Sequence, residues 1–358
     1  MRTVETIDNL KAMTRLGAEW WNDSCEPDHL AEAVAKGASG ATSNPVIVEA
    51  AVSSNKERWM PVVVDLSASY PNDSAEEITW RLISEMGRQA AEILEPVYKA
   101  SGGTKGFLSL QVNPELAADA DSMFEHAVQL AAVAPNIAIK VPSTKPGFDA
   151  AERLVARGIS VNTTVSFSVA QAMAAAEAIE RGLDQFEAAG NDPESIHPYV
   201  TIMVGRVGDY LNRIAEGRGG VEIDEESVIL SGVWVFRQAA RLFRRRQFRP
   251  TLLAAAYRHE LQWSQIIGKE VLQSIPYAWW KQFQFADCDV RETVWNPVEE
   301  ARLAGLRRAF PEFDALYRED GMSIDEFGVF EATEVTVEQF TGGYRSLVEL
   351  VDRAMISG

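Results

Sequence analysis

The feature that most constrains the fold of this chain is a rhythm. Short apolar runs bounded by Gly and Pro alternate with longer Ala-, Glu- and Arg-rich stretches of helical period, the pattern of repeated βα units rather than of separate β and α domains. Strands are expected at Gly17–Asp23, Ser39–Asn44, Gly106–Val112, Ile137–Val141, Gly158–Val165, Tyr199–Val204, Thr251–Ala256 and Val271–Ile275. Helices are expected at Asp28–Gly37, Ala75–Lys99, Ala117–Ala134, Phe148–Arg157, Val169–Arg181 and Gly208–Phe248, the last broken at 217–220. Eight such strands make an α/β fold, a (β/α)8 TIM barrel. At 358 residues the chain exceeds the ~250 typical of that barrel, so a single barrel domain spanning 1–358 with additional helices is expected. The surplus falls at about 1–16, 50–100, 208–249 and 286–358, with a tail helix at Thr336–Met355.

Composition removes several function classes. With 46% hydrophobic residues the chain can bury a large core unaided, and its two cysteines, Cys25 and Cys288, form neither a disulfide framework nor a metal-ligand spacing. The four histidines are scattered and none is paired for metal binding, so no metal is expected. His259 reads as a helix cap. No Gly-rich loop has nucleotide-binding spacing, and no cofactor is expected. The N-terminus lacks a signal-peptide pattern and no apolar stretch approaches bilayer length, so a cytoplasmic protein without membrane association is expected. A net charge of -18 repels nucleic acid. It repels a phosphorylated metabolite too, so a site for one must supply its own cations. The acidic surface and helical arms allow a homodimer.

Lys140 stands out, flanked by Ile137, Ile139 and Val141 on a strand that should be buried. A bare lysine there costs desolvation energy unless its charge is lost or used. A surface lysine, with a pKa of ~10.4, is unprotonated about once in a few thousand molecules at pH 7, whereas an apolar site that lowers this value makes it a carbonyl nucleophile. A lysine that snorkels to solvent or pairs with a carboxylate is the alternative. The other strand ends offer uncharged polar groups, namely Asn44, Gln111, Asn162 with Thr164, and Thr201, suited to sugar hydroxyls and to positioning water. Arg206 and Arg258 follow the sixth and seventh strands, where barrels recurrently bind phosphate. The Arg244–Arg246 run reads as surface ion pairs.

Gly40-Ala-Thr-Ser-Asn-Pro-Val-Ile47, Ile139-Lys-Val-Pro142, Asn162-Thr-Thr-Val-Ser-Phe-Ser168 with Gln171-Ala, Val204-Gly-Arg206 and Tyr257-Arg258 resemble, in order, the motif series of the transaldolases. The resemblance runs from about residue 17 to 285. It implies a metal-free class I reaction in which Lys140, on the fourth strand, forms a Schiff base with a ketose phosphate. Carbon–carbon cleavage then releases an aldose, and the retained dihydroxyacetone unit passes to another aldehyde in the pentose phosphate pathway. It further implies substrate binding by Ser43, Asn44, Asn162 and Thr201, water positioning by Thr164, and phosphate binding by Arg206 and Arg258.

Three departures bear on that function. Where the family usually carries an aspartate at the end of the first strand, the alignment places Asn22 in the pocket; Asp23 beside it would need a local bulge to face inward. Gln111 stands where transaldolases carry glutamate and where the fructose-6-phosphate aldolase branch carries glutamine; that branch's tyrosine near the sixth strand corresponds to Met203 here. Ala256 replaces a serine that often assists phosphate binding. A ketose-phosphate aldolase or modified-sugar transaldolase therefore stands beside a transaldolase proper. A third reading is a catalytically impaired barrel that binds sugar phosphates.

Overall fold

The computed structural model describes residues 8–219 and 224–357. Residues 1–7 of the expected N-terminal extension, Gly220 of the expected helix break, and Gly358 lie outside the described residues. Eight parallel strands close into a barrel in sequence order: β1 (Glu19–Asp23), β2 (Gly40–Thr42), β3 (Phe107–Gln111), β4 (Ile137–Pro142), β5 (Val161–Thr164), β6 (Tyr199–Met203), β7 (Thr251–Ala255) and β8 (Val271–Pro276). Each lies within or at the edge of an expected strand. β8 pairs back to β1, and helices surround the barrel.

Side chains alternate along each strand between the barrel interior and the surrounding helices. Trp21, Phe107, Ala138, Tyr199, Leu253 and Leu272 form one interior cluster, separate from the larger core between strands and helices. Trp21 meets Tyr199 edge-on, with ring centroids 4.7 Å apart. Gly40 makes room for this packing, since a Cβ there would lie 2.6 Å from the Trp21 ring and 2.7 Å from the Phe107 carbonyl. Two residues further along the strands, the interior turns polar.

The helical surplus is more divided than the periodicity suggests. Residues 45–100 form three helices, Pro45–Ser54, Lys56–Ser69 and Ala75–Ala100. Asn44 caps the first by accepting from the Ile47 amide at 3.0 Å, and Ser74 with Glu77 forms a capping box on the third. The segment expected at Gly208–Phe248 with a break at 217–220 is, as expected, two helices, Val204–Gly217 and Glu225–Arg246. At the end of the second, Arg244, Arg245 and Arg246 pair at the surface with Glu270, Glu319 and Glu177. The tail helix begins earlier and ends later than expected, at Glu331–Ser357. It packs against Pro45–Ser54 so closely that a Cβ on Gly343 would lie 2.9 Å from the Val46 Cα. His259 accepts from the Leu261 amide as the cap of a short helix. Among the described residues, no helix is long and apolar enough to cross a membrane.

Candidate active site

The polar layer opens into a cavity of about 480 Å³ at the C-terminal ends of the strands, the end at which barrel enzymes carry their chemistry. Asp23, Thr42, Asn44, Lys140, Thr164, Thr201, Met203, Arg206 and Arg258 line it. Lys140 is only 5% exposed, and its Nζ donates to the Ser43 carbonyl at 3.2 Å. Burial pushes its pKa below the ordinary lysine value; the Asp23 carboxylate opposes this shift and the Arg206 charge adds to it.

The first strand corrects the expectation for Asn22. β1 pairs with β8 in unbroken register, Glu19–Asp23 against Leu272–Pro276, so no bulge interrupts the alternation. Because Trp21 fills the barrel interior, Asp23 faces the same way and Asn22 faces the opposite way. Asn22 is fully buried outside the cavity, where its Oδ1 accepts from Trp280 Nε1 at 3.0 Å and its Nδ2 donates to the Ser24 carbonyl at 3.0 Å. Adjacent tryptophans hid the phase in the sequence, since Trp20 and Trp21 suit either face.

Asp23 accepts from Thr42 Oγ1 at 2.5 Å, and Ser274 Oγ lies 2.5 Å from the same hydroxyl. Burial pushes the Asp23 carboxyl above its ordinary value, against the pull of Lys140, the Thr42 hydrogen bond and the two arginines. A half-buried carboxyl whose pKa rises and a buried amine whose pKa falls both move toward neutrality. Each group can then exchange a proton with a molecule bound in the cavity at modest cost.

The remaining expected residues divide into those facing the cavity and those supporting it. Thr164 and Thr201 line it; Thr164 Oγ1 has no hydrogen-bond partner, and Thr201 Oγ1 donates to Asn162 Oδ1 at 2.7 Å. Asn162 is fully buried beneath and spends its Nδ2 on Ser109 Oγ at 3.0 Å. Ser43 presents its carbonyl to Lys140 and turns its hydroxyl to the Ser109 carbonyl at 3.4 Å. Gln111 is the register partner of Lys140, and its Oε1 is buried without a partner. Buried polar atoms left unpaired cost about 1–3 kcal/mol each, so Gln111 and Thr164 carry hydrogen-bonding capacity that the fold itself does not use.

The two arginines come together through backbone geometry. Gly205 packs against the turn after β7, where a Cβ would lie 2.0 Å from the Ala256 carbonyl, and Ala256 itself holds a left-handed φ of +62°. This close approach brings the segments carrying Arg206 and Arg258 to the same side of the cavity. Arg206 also lies in the first turn of Val204–Gly217, whose N-terminal dipole favours an anion. Burial, with the Arg258 charge, pushes the Arg206 pKa down to about 10. Arg258 is steadied by Asp209 at 3.3 Å and by the Ala256 and Tyr257 carbonyls.

Gln171 belongs to the same framework, accepting from the Phe167 amide and donating to the Ser143 and Val165 carbonyls. It thereby ties the ends of β4 and β5 together, beside Val165, a β-branched residue held at φ +58°. Sequence reasoning missed Gln339, Phe340 and Gly343, which line the cavity from the tail helix. The helical period of that tail and its packing against the barrel were readable; its place at the cavity was not.

Fold and cavity together define a class: a (β/α)8 barrel with a buried strand lysine facing a carboxyl group and a pair of arginines. Residues 20–342 match the family model described as Transaldolase/Fructose-6-phosphate aldolase, and the chain belongs to that family. The protein is 34% identical over 216 residues to "Transaldolase 1" of Streptomyces avermitilis, a match covering 58% of this chain and 56% of that protein. It is 32% identical over 255 residues to a transaldolase of Saccharopolyspora erythraea, covering 68% of each. It is 28% identical over 341 residues to a transaldolase of Neisseria gonorrhoeae, covering 87% of this chain and 95% of that protein. The chain thus spans little more than half the length of the first of these relatives, at 56%.

Proposed function

We propose that the protein transfers a dihydroxyacetone unit between sugar phosphates through a Schiff base on Lys140. The observation that carries this reading is the buried Lys140 amine, opposite Asp23 in a cavity that also holds Arg206 and Arg258. In the neutral form favoured by burial, the Lys140 Nζ lone pair attacks the ketose carbonyl carbon. The resulting carbinolamine loses water to give an iminium. Asp23, as carboxylate, takes the proton from the hydroxyl on the far carbon of the bond to be broken. That bond's electron pair moves into the iminium, giving an enamine while an aldose leaves. The enamine carbon then attacks the acceptor aldehyde, whose oxygen recovers a proton from Asp23, and water hydrolyses the new iminium to free the lysine. Gln111 and Thr164 have the spare hydrogen-bonding capacity to hold the water that leaves and returns. Arg206 and Arg258 hold the phosphate.

Asp23 supplies the first-strand carboxyl whose absence motivated the impaired-barrel reading. The aldolase reading keeps one specific support, the amide of Gln111 beside Lys140, where transaldolases carry a carboxylate. In that case the enamine is protonated by solvent rather than captured by an aldehyde. Borohydride reduction in the presence of fructose 6-phosphate, followed by peptide mass analysis, tests the proposal. A reduced adduct is expected on Lys140 and none in Lys140→Met; absence of any adduct in the wild type would overturn covalent catalysis. Donor cleavage that requires an added aldehyde marks a transferase, and cleavage without one marks an aldolase.

A further inference from the structure

The tail helix does more than pack against the barrel. From Glu331–Ser357 it lays Thr336, Gln339 and Phe340 against Arg206. Arg206 Nη1 donates to Gln339 Oε1 at 2.6 Å and to Thr336 Oγ1 at 3.2 Å, and the guanidinium carbon lies 5.9 Å from the centre of the Phe340 ring. Thr336 is 1% exposed and Phe340 is 2% exposed, so two of the three contacts are fixed by packing. The other edge of the same guanidinium is different: Nε is buried and has no hydrogen-bond partner. One edge is therefore pinned by the tail helix, while a buried donor remains unspent on a side chain that lines the cavity.

Arginine recognises a tetrahedral oxyanion through two parallel donors in a fixed plane. An unpinned guanidinium samples many rotamers, and ordering it on binding costs affinity. We infer that Thr336 and Gln339 are positioning residues for the anion-binding arm of Arg206, so that the tail helix sets the enzyme's preference for phosphorylated over unphosphorylated ketones. The inference rests on the proposed Schiff-base chemistry for its kinetic expression but not for its binding expression. Gly343 contributes by letting the helix approach Pro45–Ser54, since a Cβ there would meet the Val46 backbone. Charge supports the arrangement too. Threonine and glutamine accept from Arg206 without neutralising it, whereas a carboxylate at either position would compete with the incoming anion.

The test compares Thr336→Val, Gln339→Leu and their double variant with the wild type in two measurements. The first is the ratio of KM values for fructose 6-phosphate and dihydroxyacetone in borohydride trapping at Lys140. The double variant is expected to raise the KM for the phosphorylated ketone about tenfold relative to that for dihydroxyacetone, roughly 1.4 kcal/mol of lost discrimination. A general disturbance of the fold would shift both values and leave their ratio alone. In an Arg206→Leu background the same substitutions should change the ratio no further. The second measurement is binding of inorganic phosphate by calorimetry, which needs no turnover and should weaken about tenfold in the double variant. An unchanged ratio with unchanged phosphate binding, or additive effects with Arg206→Leu, overturns the inference. Weakened phosphate binding in the double variant, alongside a wild type that never traps a ketone, would leave the inference standing and remove the Schiff-base proposal.

Discussion

The two ends of the barrel interior are built on the same strands and the same alternation, yet they hold opposite contents. Toward the N-terminal ends, Trp21, Phe107, Ala138, Tyr199, Leu253 and Leu272 interlock, and the charges nearby sit at the rim, where Glu19 pairs with Lys105 at 2.8 Å with both partly exposed. Two residues along, β1, β4 and β6 present Asp23, Lys140 and Thr201 to a cavity that Thr42 of β2 also lines, with Lys140 buried, Asp23 half-buried and both pushed toward neutrality. One end satisfies itself. The other keeps polar capacity in reserve, as Thr164 Oγ1, Gln111 Oε1 and Arg206 Nε show. The packed apolar layer thus lies below the lysine and the unspent polar groups above it, the arrangement in which a rigid floor would hold reacting groups in place.

The sharpest way to break this division is within β1, where two neighbouring residues lie on opposite faces. Asp23→Asn should lower carbon–carbon cleavage by roughly 10²–10⁴-fold, the usual worth of a general acid–base group, while dihydroxyacetone still reduces onto Lys140. A cleavage rate within threefold of wild type would remove Asp23 from the chemistry. Asn22→Leu should act on stability instead, costing about 1–3 kcal/mol by leaving the Trp280 indole N–H buried and unpaired, with turnover per folded molecule retained. Urea melts and rates corrected for folded fraction separate the two outcomes.

At the floor, Phe107→Ala should cost about 3–5 kcal/mol in urea unfolding, because the surrounding strands relax only partly around the cavity it leaves. A loss of turnover larger than the loss of folded protein would show that the floor shapes the site rather than merely supporting it. The smallest effect is a shift in pH dependence. The Asp23 carboxylate favours the Lys140 ammonium and Arg206 disfavours it. Removing the carboxylate in Asp23→Asn should therefore move the pH midpoint of Lys140 reactivity downward. Removing the cation in Arg206→Leu should move it upward. Shifts in the same direction would mean that the two charges act on Lys140 through rearrangement rather than through their fields.

The barrel was legible because its signals are local. Each strand carries its own apolar run between turn residues, and the break near 217 announces two helices in place of one. Lys140 was legible for a related reason, as a single charge in an apolar strand is conspicuous wherever that strand ends up. The arginines could be placed after β6 and β7, but their approach to one another depends on Gly205 lying against the Ala256 carbonyl, a contact between segments about fifty residues apart. Asn22 was misplaced because strand phase is read from alternation, and Trp20 and Trp21 erase it. Only the pairing of Glu19–Asp23 with β8 restores the phase. The boundaries of Lys56–Ser69 and of the tail helix were blurred because their apolar faces are completed by other helices rather than by strands.

The amino-acid order alone determined the βα repeat, the closure into eight strands and the lysine around which the site is arranged, because these depend on periodicity and on residue types within a few positions. The tertiary structure alone decided which face of β1 meets Lys140 and which helix pins Arg206. Both are questions of distance between residues far apart in the chain: Asp23 and Lys140 meet only when the barrel closes, and Thr336 and Gln339 reach Arg206 only after the tail helix crosses the barrel mouth. Neither relation leaves a local periodicity, so nothing short of the packed molecule records it.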